Sequence, residues 1–392
     1  MLGTEAARCR KEERVSVFDH ESAVALARAL VDRLPDPDLR AAYLFGSFAW
    51  GDADAASDLD IGLLFDRPVD DRAVVRVRVA DAVPDVPPHA PLFADLSHMT
   101  VARFEEGVAR GHAGARLAHA AILRDSAGWL AAIREQVAPD FLAPEARAAR
   151  WRARAEQARA HRAAAGEARD DDPILAALEV RLALEAALGG AIEADGGRLS
   201  LTHFLESGER ALGRIGLSTA MATFRDLLGL DATEATIAAS LNVYRQFADT
   251  MISWLADPAI HSGLPAADHA WAVLTHAPET YAEIDHKVGT LPQVGRMAAL
   301  QFYLDGLLTT VIRMNVGKVV RLRAGGTARI PTVSEFHRAL HTESDLLRAW
   351  VAALRLEHLA ARLPEALTLT DTLLADGPSL AVISGERAER LA

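Results

Sequence analysis

The chain contains one cysteine, Cys9, in 392 residues. A lone thiol excludes disulfide staples within the chain and cysteine-rich zinc sites. Nowhere do apolar residues run uninterrupted for the roughly 18 positions that a membrane-spanning helix needs. Aromatic residues are scarce at 6%. Basic residues are the minority charge: Lys plus Arg is 42 against 54 Asp plus Glu, a formal charge of −12. A sequence-independent nucleic-acid binder needs a basic face to displace counterions, so this balance argues against a nucleic-acid partner. The excess acid suits a cationic or metal-bridged ligand, and equally a surface charged for solubility. The opening MLGTEAARCRKEERVSVFDH has charges where a signal peptide needs its apolar stretch. The expectation is a soluble, cytoplasmic protein with no membrane partner, and with residues 1–14 as a loose tail.

What is present changes character near residue 100. Before it, HESAVALARALVDRL reads as an amphipathic helix ended by Pro35 and Pro37. AAYLFGS is a short apolar run stopping at Gly46-Ser47, and DLDIGLLFD is a second such run after the loop GDADAAS. Both predict buried strands. VDDRAVVRVRVADAV fits helix or strand, and its length and leading Asp pair favour helix. LFADLS, containing Asp95, predicts a third strand. Beyond residue 100 long Ala/Leu/Arg/Glu stretches predict helices, with no strong strand pair. The fold class is therefore α+β, a small mixed-sheet domain followed by a large all-α helical-bundle region. The expected boundaries are 15–138 for the sheet domain, 139–256 for one bundle and 257–392 for a second. The segments from Ala177 and Ala299 resemble each other, each running helix, Gly-containing loop, then a helix with Phe204 or Phe336. Duplication explains that likeness, and so does generic Ala/Leu composition.

The chemistry concentrates in FGSFAWGDADAASDLDIGLLFD. A Gly-Ser turn between a strand and a helical turn presents backbone N–H groups and the Ser47 hydroxyl to phosphate oxygens. Asp58 and Asp60 stand two apart on a strand, so period 2 puts both carboxylates on one face. They repel unless a cation lies between them, and hard oxygen ligands suit Mg²⁺ together with substrate phosphates. If the LFADLS strand lies beside them, Asp95 completes a cluster of three acids for phosphoryl or nucleotidyl transfer. Residues 1–140 carry 16 basic and 23 acidic side chains, so the acidity gathers around this stretch.

Gly46-Ser47 followed by Asp58-Leu59-Asp60 resembles the signature of the nucleotidyltransferase superfamily that includes DNA polymerase β. Within it, the pattern is similar to the aminoglycoside and minimal nucleotidyltransferases, whose loop before the paired acids usually ends in Ser, as Ser57 does. The resemblance implies that Gly46 and Ser47 hold a nucleoside triphosphate, and that Asp58, Asp60 and Asp95 bind Mg²⁺ or, for Asp95, serve as base. It also implies transfer of a nucleoside monophosphate, AMP from ATP, to a hydroxyl of a small-molecule acceptor, with antibiotic resistance as the expected role. Two alternatives stay open: AMP transfer to a protein, as in toxin–antitoxin pairs, and an inactive nucleotide-binding platform. Trp50 stands where many members have Arg or Lys, which removes one phosphate contact. Segment 114–133 resembles the family's domain-closing segment, in which an apolar stretch ends near an Asp, here Asp125.

Elsewhere, Glu179 and Glu185 lie in an apolar helix. In the enzymes this chain resembles, an acid of the helical region often orients or deprotonates the acceptor hydroxyl, which makes Glu185 the candidate, while a simple ion pair with a neighbouring arginine is the commoner use of such an acid. His337 and His341 are four apart with Glu335 nearby, but no third zinc ligand is identifiable from sequence, and they read as solvated histidines.

Overall fold

The computed structural model describes residues 18–69, 74–87, 90–111, 113–265, 269, 273, 276–323 and 325–376. The expected tail, 1–14, lies outside the described residues. The chain divides into two compact units, Met1–Val137 and Ala138–Ala392. The fold is α+β, a five-stranded mixed sheet followed by a large helical region.

In the first unit, helix α1 (His20–Val31) begins at Asp19, whose side chain accepts the Ser22 N–H at 2.7 Å. There follow β1 (Leu39–Phe45), α2 (Gly46–Trp50), β2 (Leu59–Phe65), β3 (Val74–Arg78), α3 (Val79–Ala82), β4 (Phe93–Thr100), α4 (Val101–Ala109), α5 (Gly114–Leu117), β5 (Ala121–Asp125) and α6 (Trp129–Leu142), whose last turn runs past the end of the unit. The strand order is β3-β4-β2-β1-β5. Among the described residues β2–β4 pair in parallel, and β1–β2, β1–β5 and β3–β4 are antiparallel.

Alternation along the strands sorts side chains between two cores. Leu59, Ile61, Leu63, Ala94 and Leu96 join α1 on one face. Ala41, Tyr43 and Leu64 join Phe104, Leu117 and Leu130 on the other. Asp60 and Asp95 alternate with the first set, so they belong to the second face.

Two readings of the sequence are corrected here. Residues 74–78 form a strand, not the expected helix. Their Val/Arg alternation, VVRVR, gives a half-buried edge strand paired to β4, and β-branched valines fit that pleated surface. A strand also occurs beyond residue 100: β5, AILRD, covers the outer edge of β1. Its Asp125 ends the strand by capping α6, accepting from Leu130 N at 3.0 Å and Ala131 N at 2.9 Å.

The described residues of the second unit are helical, without strands. Helices α7 (Pro144–Ala168) and α8 (Pro173–Ala194) pack along each other. Burial reaches α8 on nearly every side, which makes it the spine of the unit. Helices Leu356–Ala361 and Leu363–Asp376 pack directly on α8, so contacts cross the sequence division expected at 256/257. The two similar segments also meet: Phe204 stacks on Phe302 with centroids 4.7 Å apart. Arg181 donates to Asp305 at 2.8 Å where both side chains are fully buried. Arg355 and Gln301 also donate to Asp305, Gln301 at 2.8 Å, so several donors converge on one buried carboxylate.

Candidate active site

The site begins where β1 ends. Gly46 has φ +72°, a left-handed conformation that glycine adopts without steric cost. A Cβ at Gly46 would stand 1.8 Å from Asp60 Oδ2, so the carboxylate lies directly against the turn. Phe45 is the cross-strand partner of Asp60, which fixes that approach. Ser47 is buried within the turn, and the His20 ring bonds the Phe48 carbonyl at 2.8 Å, tying α1 to it.

After α2 the chain turns at Gly51 and enters a short loop organised by two residues. Asp54 Oδ1 accepts from Ala56 N at 2.9 Å and from the Ser57 hydroxyl at 3.1 Å, while Ser57 Oγ accepts the Asp54 N–H at 2.9 Å. This reciprocal turn delivers Asp58 to the entrance of β2. Ser57 thereby has a local structural task. Asp54 is a supporting residue that sequence reasoning missed, although an Asp three residues before a Ser is the signal for such a turn.

Asp60 and Asp95 are direct partners in the parallel β2–β4 register, which sets both on one face. Asp58 precedes Asp60 by two residues at the mouth of the same strand. The next position on that face is Gly62, where a Cβ would stand 2.3 Å from the Tyr43 ring. Tyr43 therefore covers the face beyond Asp60 and leaves the acids at its rim.

Arg76, the antiparallel partner of Asp95 on β3, is the second missed residue. It grips Asp95 with two hydrogen bonds, Nε to Oδ1 at 2.7 Å and Nη2 to Oδ2 at 2.6 Å. Both side chains are about one-seventh exposed, at 14% and 15%. A guanidinium fork of this kind holds a carboxylate in a fixed plane. The Val/Arg alternation of 74–78 carried the signal, but reading the segment as helix hid it.

Trp50 packs on the His119 ring with centroids 4.2 Å apart, and burial pushes the His119 imidazole below its ordinary range. In the helical unit, Glu179 meets His161 at 2.6 Å and Glu185 meets Arg181 at 2.8 Å. Glu185 also lines a cavity of about 360 Å³ with Arg154, His161, Phe204, Phe302 and Arg313. Burial pushes its carboxyl up, opposed by the Arg181 charge. His337 is corrected from a solvated residue to a buried one, and Asp172 lies 3.4 Å from its Nδ1.

No described helix is long and apolar enough to cross a membrane. Residues 33–88 match the family model described as Polymerase beta, Nucleotidyltransferase. The match takes in β1, the Gly46-Ser47 turn and the Asp58-x-Asp60 strand. No curated protein and no solved structure matches the chain. With the turn, the paired acids and the mixed sheet in one unit, residues 33–88 are similar to a polymerase β-like nucleotidyltransferase domain.

Proposed function

We propose that the chain is a Mg²⁺-dependent nucleotidyltransferase that moves a nucleoside monophosphate, AMP from ATP, to a hydroxyl of a small molecule, with an aminoglycoside-type antibiotic as acceptor. The observation that carries this reading is the register of Asp60 beside Asp95, with the Gly46 turn against Asp60. The donors are hard carboxylate oxygens, and the missing Cβ of Gly46 leaves the space that the Asp60 carboxylate occupies. That set fits Mg²⁺.

Asp58 and Asp60 would hold the ion. When bound, Mg²⁺ neutralises charge on the attacking and leaving oxygens of an in-line displacement. The turn amides and Ser47 hold phosphate oxygens. The acceptor oxygen bonds to the α-phosphorus as the bond to the β-phosphate oxygen breaks, and pyrophosphate leaves. Arg76 keeps Asp95 in place, either to share in holding the ion or to accept the hydroxyl proton. The acidic bias of the first 140 residues favours a cationic acceptor.

Incubating the protein with ATP, Mg²⁺ and an aminoglycoside panel, with mass spectrometry of the panel, tests the proposal. A gain of one AMP on a panel member supports it. Absence of any adduct defeats the antibiotic assignment, and a labelled protein band from radiolabelled ATP redirects it to a protein acceptor. A binding platform without turnover is the second reading, favoured by the engagement of both Asp95 oxygens with Arg76. Tight ATP binding without release of pyrophosphate from ATP in the presence of any acceptor would select it.

A further inference from the structure

We propose that Asp172, His337 and His341 form a binding site, within the helical unit, for a divalent transition-metal ion of the zinc class. One ligand atom from each residue lies within 4.8 Å of the other two. The three residues come from two helix ends. Asp172 is the N-cap of α8, and its Oδ1 accepts the Leu175 N–H at 3.0 Å. That bond fixes the carboxylate, and Oδ2 stands 3.4 Å from His337 Nδ1. Tetrahedral zinc with bonds of about 2.0–2.1 Å separates its ligand atoms by about 3.3–3.4 Å, so this pair already has the required spacing.

His337 is buried on helix Val333–Leu340, and His341 follows one turn later as its C-cap. Their ring centroids are 4.9 Å apart. His341 is exposed, so rotation about its own side-chain torsions brings its nitrogen to the other two. Glu335, the acid suggested by sequence proximity, is engaged elsewhere. It closes the capping box with Thr332 and pairs with Arg321 at 2.7 Å and Arg329 at 2.6 Å. Two imidazoles and one carboxylate prefer zinc and its neighbours to Mg²⁺ or Ca²⁺. Three protein ligands leave a fourth position for water. Such an ion ties the start of α8 to a helix distant in the chain, which makes it a staple of the unit. The inference is independent of the nucleotidyl-transfer reading, because the acids of that site are in the other unit.

The test is Zn²⁺ titration of the full chain, freed of metal by chelation, in millimolar Mg²⁺ to compete at the all-carboxylate site. Wild type and Asp60→Asn are each expected to bind one zinc per chain at micromolar concentration or below, with a rise in melting temperature. Loss of a supporting partner alone weakens metal sites about 10–100-fold, so His341→Ala should weaken binding by about a hundredfold or more and abolish the melting shift. Asp172→Asn should do the same while its remaining oxygen still caps α8. Both positions are at least partly exposed, which favours folded variants, and circular dichroism checks this. Wild type binding no zinc overturns the proposal. So does wild-type affinity in folded His341→Ala and Asp172→Asn, which would leave the His337–Asp172 contact without a metal.

Discussion

Replacing Gly46 by alanine probes the close approach of the turn to Asp60 in the candidate site. The new Cβ would lie 1.8 Å from Asp60 Oδ2, about 1.4 Å inside a tight non-bonded contact of roughly 3.2 Å. Either the carboxylate or the turn must move by that amount. The backbone at φ +72° adds about 1–2 kcal/mol for any residue with a Cβ. Overpacking adds about 1–3 kcal/mol, and partial relaxation should leave a net loss of about 2–3 kcal/mol. For a unit of this size that lowers the melting temperature by roughly 6–10 °C. Displacement of a catalytic group by about 1 Å can cost on the order of 10² in rate. Thermal melting followed by circular dichroism and pyrophosphate release with the best acceptor measure the two effects. Wild-type values of both would refute the steric argument. A lowered melting temperature with full turnover would refute the assignment of Asp60 to the chemistry.

Arg76→Met should lower both turnover and stability, the latter by about 1–3 kcal/mol because Asp95 loses two charge-assisted hydrogen bonds. Partial recovery of turnover in Arg76→Lys, assayed in parallel, would identify Arg76 as a positioning residue. Asp305→Asn should destabilise the helical unit by about 3–5 kcal/mol in urea melts, since Arg181 and Arg355 then face each other without their shared charge. Glu335 is held down to about 2 by the Thr332 N–H, helped by Arg329 and Arg321. Its contribution to stability is complete above its unfolded value near 4.5 and is lost as pH falls toward 2. The stability gap between wild type and Glu335→Gln, measured by melts across pH, should therefore be constant above pH 4.5 and close below it.

The elements flanking the site were readable because each has a local cause. The apolar runs of β1 and β2 end at turn residues, Gly46-Ser47 open α2, and Asp58 stands one residue before β2 with Asp60 inside it, so both spacings are short-range. What escaped depends on pairing between distant segments. The partnership of Asp60 with Asp95 requires the parallel β2–β4 register, which no local pattern encodes. Arg76 was hidden by an ambiguous period: the Asp pair before it argued for a helix start, while burial against β4 selected the strand. The surroundings of His337 were missed for a similar reason. Helical spacing reveals its i+4 partner, but Asp172 arrives from a distant part of the chain as a helix cap.

The role of the strand carboxylates is tested most directly by Mg²⁺-dependent pyrophosphate release from ATP in Asp58→Asn and Asp60→Asn, beside wild type. Loss of a group that holds the ion removes several kcal/mol of transition-state stabilisation, on the order of 10²–10⁴ in rate. Circular dichroism and melting should stay native, because each substitution relieves repulsion between two neighbouring carboxylates. Asp52→Asn, in the loop before the strand, should retain turnover. Near-normal pyrophosphate release from either strand variant, or its unfolding, would contradict the account.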